Sequence, residues 1–259
     1  MSDLLGSAEA GGVLTVTLRR PEKRNALNRP LIAALAEAFT TWRDNDRLSV
    51  VVLTGEGDKA FASGGDVREL ATLRDAPETL AFAQEARAAL DTIRRFPVPV
   101  VAAVNGDALG GGAELATACD IRFMARHARI GFLQGRLNIA TAWGGGTDLL
   151  QRVGPGRALS LLCSTDVLDA TSALALGLVE AIAPADQPFI TATAAYAGRL
   201  AERKPQVMRA FKSLAIAHRS GVAPAGMAEI ESRAFTETWI HPDHWDAVAA
   251  MFPPPGPPT

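Results

Sequence analysis

Cysteine is scarce. Only Cys119 and Cys163 occur, too few for a disulfide framework or a zinc-type cluster, and that count suits a reducing compartment. Charge of one sign is also missing. Lys and Arg number 26 against 28 Asp and Glu, for a formal net charge of -2. That balance leaves no basic excess to hold a nucleic acid or an anionic membrane through counterion release. The longest apolar run, Val98 to Val104, contains Pro99 and stops at Asn105, well short of the roughly 20 residues that cross a bilayer. The first residues, Met1-Ser2-Asp3-Leu4-Leu5-Gly6, lack the basic segment and apolar core of a secretory signal, so a cytoplasmic location is expected.

What is present is a chain of 259 residues, 48% hydrophobic and 21% charged, enough to bury a full core and to take a small-molecule ligand. No linker divides its middle. The expected organisation is a main body over 1–188, a helical region over 189–252 and a Pro-rich tail over 253–259.

Periodicity supplies the elements. Val13 to Leu18 alternates as a half-buried strand, followed by a charged turn around Pro21 to Arg24. Asn28 is placed to cap a helix with Pro30 in its first turn and Leu31, Leu35, Ala38, Phe39 and Trp42 at helical spacing. Ser49 to Thr54 and Val98 to Val104 are β-branched apolar runs that predict buried strands. A helix is expected over 87–95, short strands over 120–124 and 128–132, and helices over 147–153 and 157–162. Past Asp186 the pattern is helical, over 189–202, 206–218 and 224–239. The fold class is α/β.

Several chemistries lack their residues. Gly110-Gly111-Gly112 continues as Ala113-Glu114-Leu115, which does not make the glycine pattern of a dinucleotide site. Gly106 and Gly111 have P-loop spacing, but Gly112 and Ala113 stand where Lys and Ser/Thr would bind phosphate and magnesium. No Gly-x-Ser-x-Gly elbow marks a hydrolase. His241 and His244, separated by Pro242 and Asp243, read as a solvated helix start, so no metal is expected. Cys119 and Cys163 both sit among small or apolar neighbours and read as inert core thiols.

Two loops carry a signal. Phe61-Ala62-Ser63-Gly64-Gly65-Asp66-Val67 strips side chains from the backbone ahead of a helix starting near Val67, which exposes amides. Taken alone it is equally a plain turn with Asp66 as helix cap. In the second loop, the buried strand over 98–104 runs through Asn105-Gly106-Asp107-Ala108-Leu109 into three glycines and a helix with Glu114 in its first turn. Tight packing of helix on sheet accounts for one of those glycines better than for three.

With Asn25-Ala26-Leu27-Asn28, the stretch from Pro99 to Asp120, and Asp169 to Val179, these loops resemble the crotonase (enoyl-CoA hydratase/isomerase) superfamily over nearly the whole chain. The resemblance implies a spiral of repeated strand-strand-helix units and a C-terminal helical region that builds trimers or dimers of trimers. It implies an acyl-CoA thioester substrate, with coenzyme A part of that substrate and no separate cofactor. Its oxyanion hole falls on the backbone amides of Gly65 and Gly111. Coenzyme A falls along Arg24, Ala26, Ser63, Asp66 and Val67, with Gly110 beside the thioester.

Glu114 matches the first catalytic glutamate of the hydratases, although a first-turn Glu also favours a helix dipole. Gln134 stands where those enzymes carry a second glutamate. A glutamine exchanges no proton but can orient water or a carboxylate. The details lie nearest the branch that decarboxylates ethylmalonyl- or methylmalonyl-CoA, through Gly112-Ala113-Glu114, Thr117 to Asp120, Ile130-x-Phe132, Trp143-Gly144-Gly145 and Thr238-Trp239. The expectation is therefore a lyase that decarboxylates a short malonyl-type thioester, with Gln134, Arg136 and Trp143 shaping its pocket. Arg136 either attracts a substrate carboxylate or makes a surface salt bridge. A 2-enoyl-CoA hydratase using one glutamate and a non-catalytic CoA-binding protein are the alternatives.

Overall fold

The computed structural model describes residues 3–252. The Pro-rich tail expected over 253–259 lies outside the described residues. The chain opens with β1 (Leu5–Ala10) and β2 (Val13–Leu18), an antiparallel hairpin turned by Gly11 and Gly12 at φ 59° and 79°, where glycine is unstrained. After a 3-10 turn at Pro21–Lys23 comes α1 (Arg29–Thr41). The Asn28 side chain caps it by accepting from Leu31 N at 3.1 Å, as the sequence predicts.

Three strand pairs follow. They are β3 (Val50–Gly55) and β4 (Ala60–Ala62), with α2 (Val67–Leu70) and α3 (Ala76–Arg94); β5 (Val100–Val104) and β6 (Asp107–Leu109), with α4 (Gly111–Ala118); and β7 (Ile121–Met124) and β8 (Arg129–Gly131), with α5 (Gly145–Val153) and α6 (Pro155–Ser164). The body closes with β9 (Val167–Asp169), α7 (Ala170–Ala175) and β10 (Ala181–Ile182). The first strand of each pair enters a six-stranded sheet ordered β1-β2-β3-β5-β7-β10, and the second enters a four-stranded sheet ordered β4-β6-β8-β9. Dealing successive strands to two sheets winds the chain into the expected α/β spiral.

The apolar runs are buried strands because the large sheet is covered on both sides. Val51, Leu53, Val100, Ala102 and Val104 face the main core. Val50, Val52, Val101, Ala103 and Phe123 face a second cluster that includes Ala192 and Ala197 of α8 (Phe189–Ala201). Then come α9 (Pro205–Arg219), α10 (Pro224–Trp239) and α11 (Pro242–Met251). His241 is the N-cap of α11, its Nδ1 accepting from Asp243 N at 3.2 Å, which fits the helix-start reading. No helix of the described residues is long and apolar enough to cross a membrane.

Three details differ from the sequence reading. β1 was not expected, since Leu-Gly-Ser-Ala-Glu-Ala lacks the β-branched residues that mark strands. α3 begins at Ala76 rather than Arg87, its N-terminus fixed by Asp75, which accepts from Glu78 N at 2.8 Å. Cys163 is exposed near the end of α6, whereas Cys119 is buried and burial pushes its thiol up to about 12.

One buried contact ties the helical region to the body. Lys212 of α9, 2% exposed, reaches Asp120 with Nζ 2.6 Å from Oδ1, while Asp120 Oδ2 accepts from Val100 N at 2.8 Å. Burial lowers the Lys212 pKa against the pull of Asp120. Replacing Lys212 by Ala leaves Asp120 facing a low-dielectric interior, so urea titration of Lys212→Ala is expected to show a loss of about 3–5 kcal/mol.

Candidate active site

The site is built where β4 and β6 run into their helices. Gly64 at φ 111° and Gly110 at φ 52° each precede the amide assigned to the oxyanion hole. Those backbone conformations are open to glycine and strained for other residues. They set the direction of the next amide, Gly65 N or Gly111 N. Gly65 pairs with Leu27 through its neighbours, Leu27 N donating to Gly64 O at 2.8 Å and Asp66 N to Leu27 O at 3.0 Å. Gly111 is the first residue of α4, where helix N–H groups have no partner within the helix.

The loops touch each other. A methyl group on Gly64 would lie 3.6 Å from Gly111 N, and one on Gly112 would lie 1.8 Å from Ala62 O. The third glycine of the run therefore serves helix-on-strand packing. The indole of Trp143 stands over both loops: a methyl on Gly111 would meet its Cζ3 at 2.3 Å, and one on Gly65 its Cη2 at 3.4 Å. The ring is braced edge-on by Phe82 at 5.9 Å.

Glu114 is 2% exposed and fully engaged. Its Oε2 accepts from Trp143 N and from Gly145 N, each at 2.9 Å, and its Oε1 accepts from Gln134 Nε2 at 2.8 Å. Burial raises its pKa above the ordinary carboxylate value, and the three donors oppose that shift. Gly145 is indispensable to the grip, because a methyl there would come within 2.3 Å of Glu114 Cγ. Gln134, on a 3-10 turn over Gln134–Leu137, is 9% exposed, and its Oε1 has no hydrogen-bond partner among the described residues.

The structure thus brings the two glycine loops, the Trp143 indole and the buried carboxylate of Glu114 together. Residues 8–251 match the family model described as enoyl-CoA hydratase/isomerase. The chain belongs to the enoyl-CoA hydratase/isomerase family. It is similar to the crotonyl-CoA hydratase of Syntrophomonas wolfei, 34% identical over 198 residues covering 76% of this chain and 75% of the relative. It is similar also to a probable enoyl-CoA hydratase of Bacillus subtilis, 29% identical over 92% of both chains. The enoyl-CoA hydratase of Bacillus anthracis superposes with a TM-score of 0.89 at 29% identity, over 96% of this chain and 95% of that one.

As a member of this family, the chain brings its expected CoA-lining residues onto two hydrogen-bonded segments. Ser63 N donates to Arg24 O at 3.0 Å, and Ala26 lies between Arg24 and the Leu27 bridge. Val67, the first residue of α2, is 61% exposed. Asp66 holds the N-cap position of α2, but its side chain makes no cap bond. It pairs with Arg20 at 3.1 Å, which holds its carboxyl below the usual range. Arg20 also donates to Ala26 O, and Asn25, wholly buried, donates to Glu56 O and Ala60 O.

Arg136 is engaged by a neutral partner rather than by the acid of a surface salt bridge. Its Nε donates to Thr165 Oγ1 at 3.0 Å and its Nη2 to Thr165 O at 2.8 Å, which fastens the 3-10 turn to the end of α6. It therefore braces the turn that carries Gln134, and makes no salt bridge among the described residues. Arg94, Asp148, Arg20 and Phe82 were not foreseen at the site. Arg94 and Arg20 lie among other arginines in sequence, and nothing local separates them from surface charge.

The 1.8 Å approach at Gly112 decides a mutation. Gly112→Ala must push α4 off β4, and thermal or denaturant unfolding is expected to show a cost on the order of 3 kcal/mol or more.

Proposed function

We propose that the chain hydrates a 2-enoyl-CoA thioester with Glu114 as its one proton-transfer group. The observation that carries this reading is the pair Glu114 and Gln134. The glutamine spends its amide N–H on the carboxylate and keeps a buried carbonyl oxygen as a spare acceptor. That oxygen can take a hydrogen bond from a water whose other proton faces Glu114. As the water oxygen bonds to the β-carbon, Glu114 accepts the proton and the double-bond electrons move onto the thioester oxygen. The amides of Gly65 and Gly111 stabilise that enolate, and Glu114 then returns the proton to the α-carbon. Each such donor contributes about 3 kcal/mol to the transition state. Coenzyme A would lie along Arg24, Ala26, Ser63, Asp66 and Val67, with Gly110 presenting the thioester and Trp143 lining the acyl group. The hydratase names of the relatives support the same reading.

A second reading rests on the same glutamine. With one ionisable group, the site has the minimum needed for decarboxylation of a malonyl-type thioester. There the bond to the carboxylate breaks, its electron pair becomes the enolate, and Glu114 or a water it holds reprotonates carbon. Arg136 spends its Nε and Nη2 on Thr165.

Product analysis with crotonyl-CoA, methylmalonyl-CoA and ethylmalonyl-CoA in separate reactions tests the proposal. Gain of water on crotonyl-CoA is the expected result. Carbon dioxide release points to the second reading, and tight binding with no turnover to a non-catalytic protein. Glu114→Gln should keep its fold and lose about 10²–10⁴ in kcat. Because Glu114 must be ionised to act as a base and burial raises its pKa, the acid limb of kcat/KM against pH should lie above an ordinary glutamate. Activity should rise with pH through that limb, and at neutral pH Glu114→Gln should melt no lower than the parent.

A further inference from the structure

Behind the Glu114 grip lies a second, buried charge system. Arg94, in the last turn of α3, is 7% exposed, and Asp148, in the first turn of α5, is 4% exposed. The guanidinium makes three kinds of bond. Its Nε donates to Asp148 Oδ2 at 2.9 Å, its Nη1 to Asp91 Oδ1 at 2.8 Å, and its Nη2 to the carbonyl oxygen of Trp143 at 2.8 Å. The two acids keep Arg94 protonated in spite of the burial that works against its charge.

The third bond joins the pair to the reaction centre. The residue whose carbonyl Arg94 holds is the one whose N–H donates to Glu114, and two residues later Gly145 N donates to the same carboxylate oxygen. The segment 143–145 is thus clamped from opposite sides, by a carboxylate on its amides and a guanidinium on its carbonyl. Gly144 between them sits at φ 96°, and a methyl group there would come within 2.6 Å of Arg94 Nη2. Backbone shape and guanidinium position are therefore fitted to each other, a closeness that a charge pair serving only to hold α3 against α5 does not need.

We propose that Arg94, with Asp148 as its anchor, is a positioning residue for the acid-base chemistry, fixing the 143–145 segment so that two amides converge on one oxygen of Glu114. This rests on the reading of Glu114 as the proton-transfer group. Arg94 touches neither Glu114 nor the two oxyanion amides and acts through the backbone alone. The pair also explains the orientation of Trp143, since its carbonyl is drawn toward α3 while its indole stands over Gly65 and Gly111.

The test uses the full chain with the double substitution Arg94→Met and Asp148→Leu, which removes the two most buried charges together and leaves only their outer partners, Asp91 and Arg219, with side chains 41% and 17% exposed. Two quantities are read: steady-state kinetics on whichever thioester the parent turns over, and backbone amide exchange across 142–146. The expected result is a kcat lowered about 10- to 100-fold with KM little changed, and exchange of the Trp143 and Gly145 amides faster by about tenfold with the rest of the chain protected as before. Unchanged kcat and exchange in the folded variant overturn the proposal. So does a uniform rise in exchange across the chain, which marks a purely structural pair. If the double variant does not fold, Arg94→Lys serves in its place. Its ammonium can meet Asp148 but cannot also hold Asp91 and the Trp143 carbonyl, and the same outcomes decide. Should the parent turn over none of the thioesters, the proposed function fails while the exchange measurement still decides the clamp.

Discussion

A carboxylate that is 2% exposed is the constraint around which this molecule is arranged. Burial of an unpaired ion costs several kcal/mol, and among the described residues no cationic side chain bonds to Glu114. The offset comes from neutral donors: two backbone amides and one glutamine. Neutral donors hold a carboxylate in place without committing it to the ionised state as a salt bridge would. A group that must take and return a proton is better served that way. Each donor brings its own requirement. The amides of Trp143 and Gly145 converge only because Gly144 adopts a positive φ and Gly145 has no Cβ. The glutamine reaches in only because its 3-10 turn is fastened by Arg136 to Thr165.

The helix that carries Glu114 is wholly buried, and both of its ends are managed. At the N-terminus, Gly110 turns the chain into the helix at φ 52°. At the C-terminus, arginines gather on the last carbonyls: Arg122 on Ala116 and Cys119, Arg219 on Ala118, and Arg152 on Asp120 just beyond. Cations there favour the helix dipole, whose positive end lies at Gly111. The crowding has a cost, since burial and neighbouring Arg122 bring the Arg152 pKa down to about 10. Glu180 and Asp120 supply the balancing charge. Arg219 and Lys212 both come from α9, so the late helical segment finishes the far end of the helix on which the chemistry sits.

Legibility in the sequence followed the range of the interaction. The glycine loops and Glu114 were readable because their demands are local: a positive φ, a missing Cβ, a carboxylate in a helix's first turn. Asn28 was readable for the same reason. Gln134 was reached only through the family resemblance. Arg94 and Asp148 were not, being 54 residues apart and each placed where an ordinary surface charge would be. The bond from Arg136 to Thr165 was not readable because Thr165 lies across the end of α6, where no spacing rule points. Cys163 was misread because Ala-Leu-Ser-Leu-Leu-Cys suits a buried helix face, yet only Ala158 of α6 is buried. β1 stayed hidden because its strand is made by pairing with β2 rather than by its own residues.

The glutamine at 134 is best understood through what a carboxylate in its place would do. Two carboxylates within hydrogen-bond distance cannot both be ionised at modest energy, so the pair would share a proton and each would titrate with the other. A glutamine removes that coupling. Its N–H stabilises the Glu114 anion, as the direction of its influence on the Glu114 pKa shows, and its oxygen remains an acceptor that never changes charge. In the proposed hydration, one group then serves as both acid and base. For a syn addition, in which the proton taken from water is delivered to the adjacent carbon on the same face, one carboxylate is geometrically sufficient. The substitution therefore shifts the burden of precision from a second ionisable side chain to whatever holds the first in place, which is the backbone of residues 143–145.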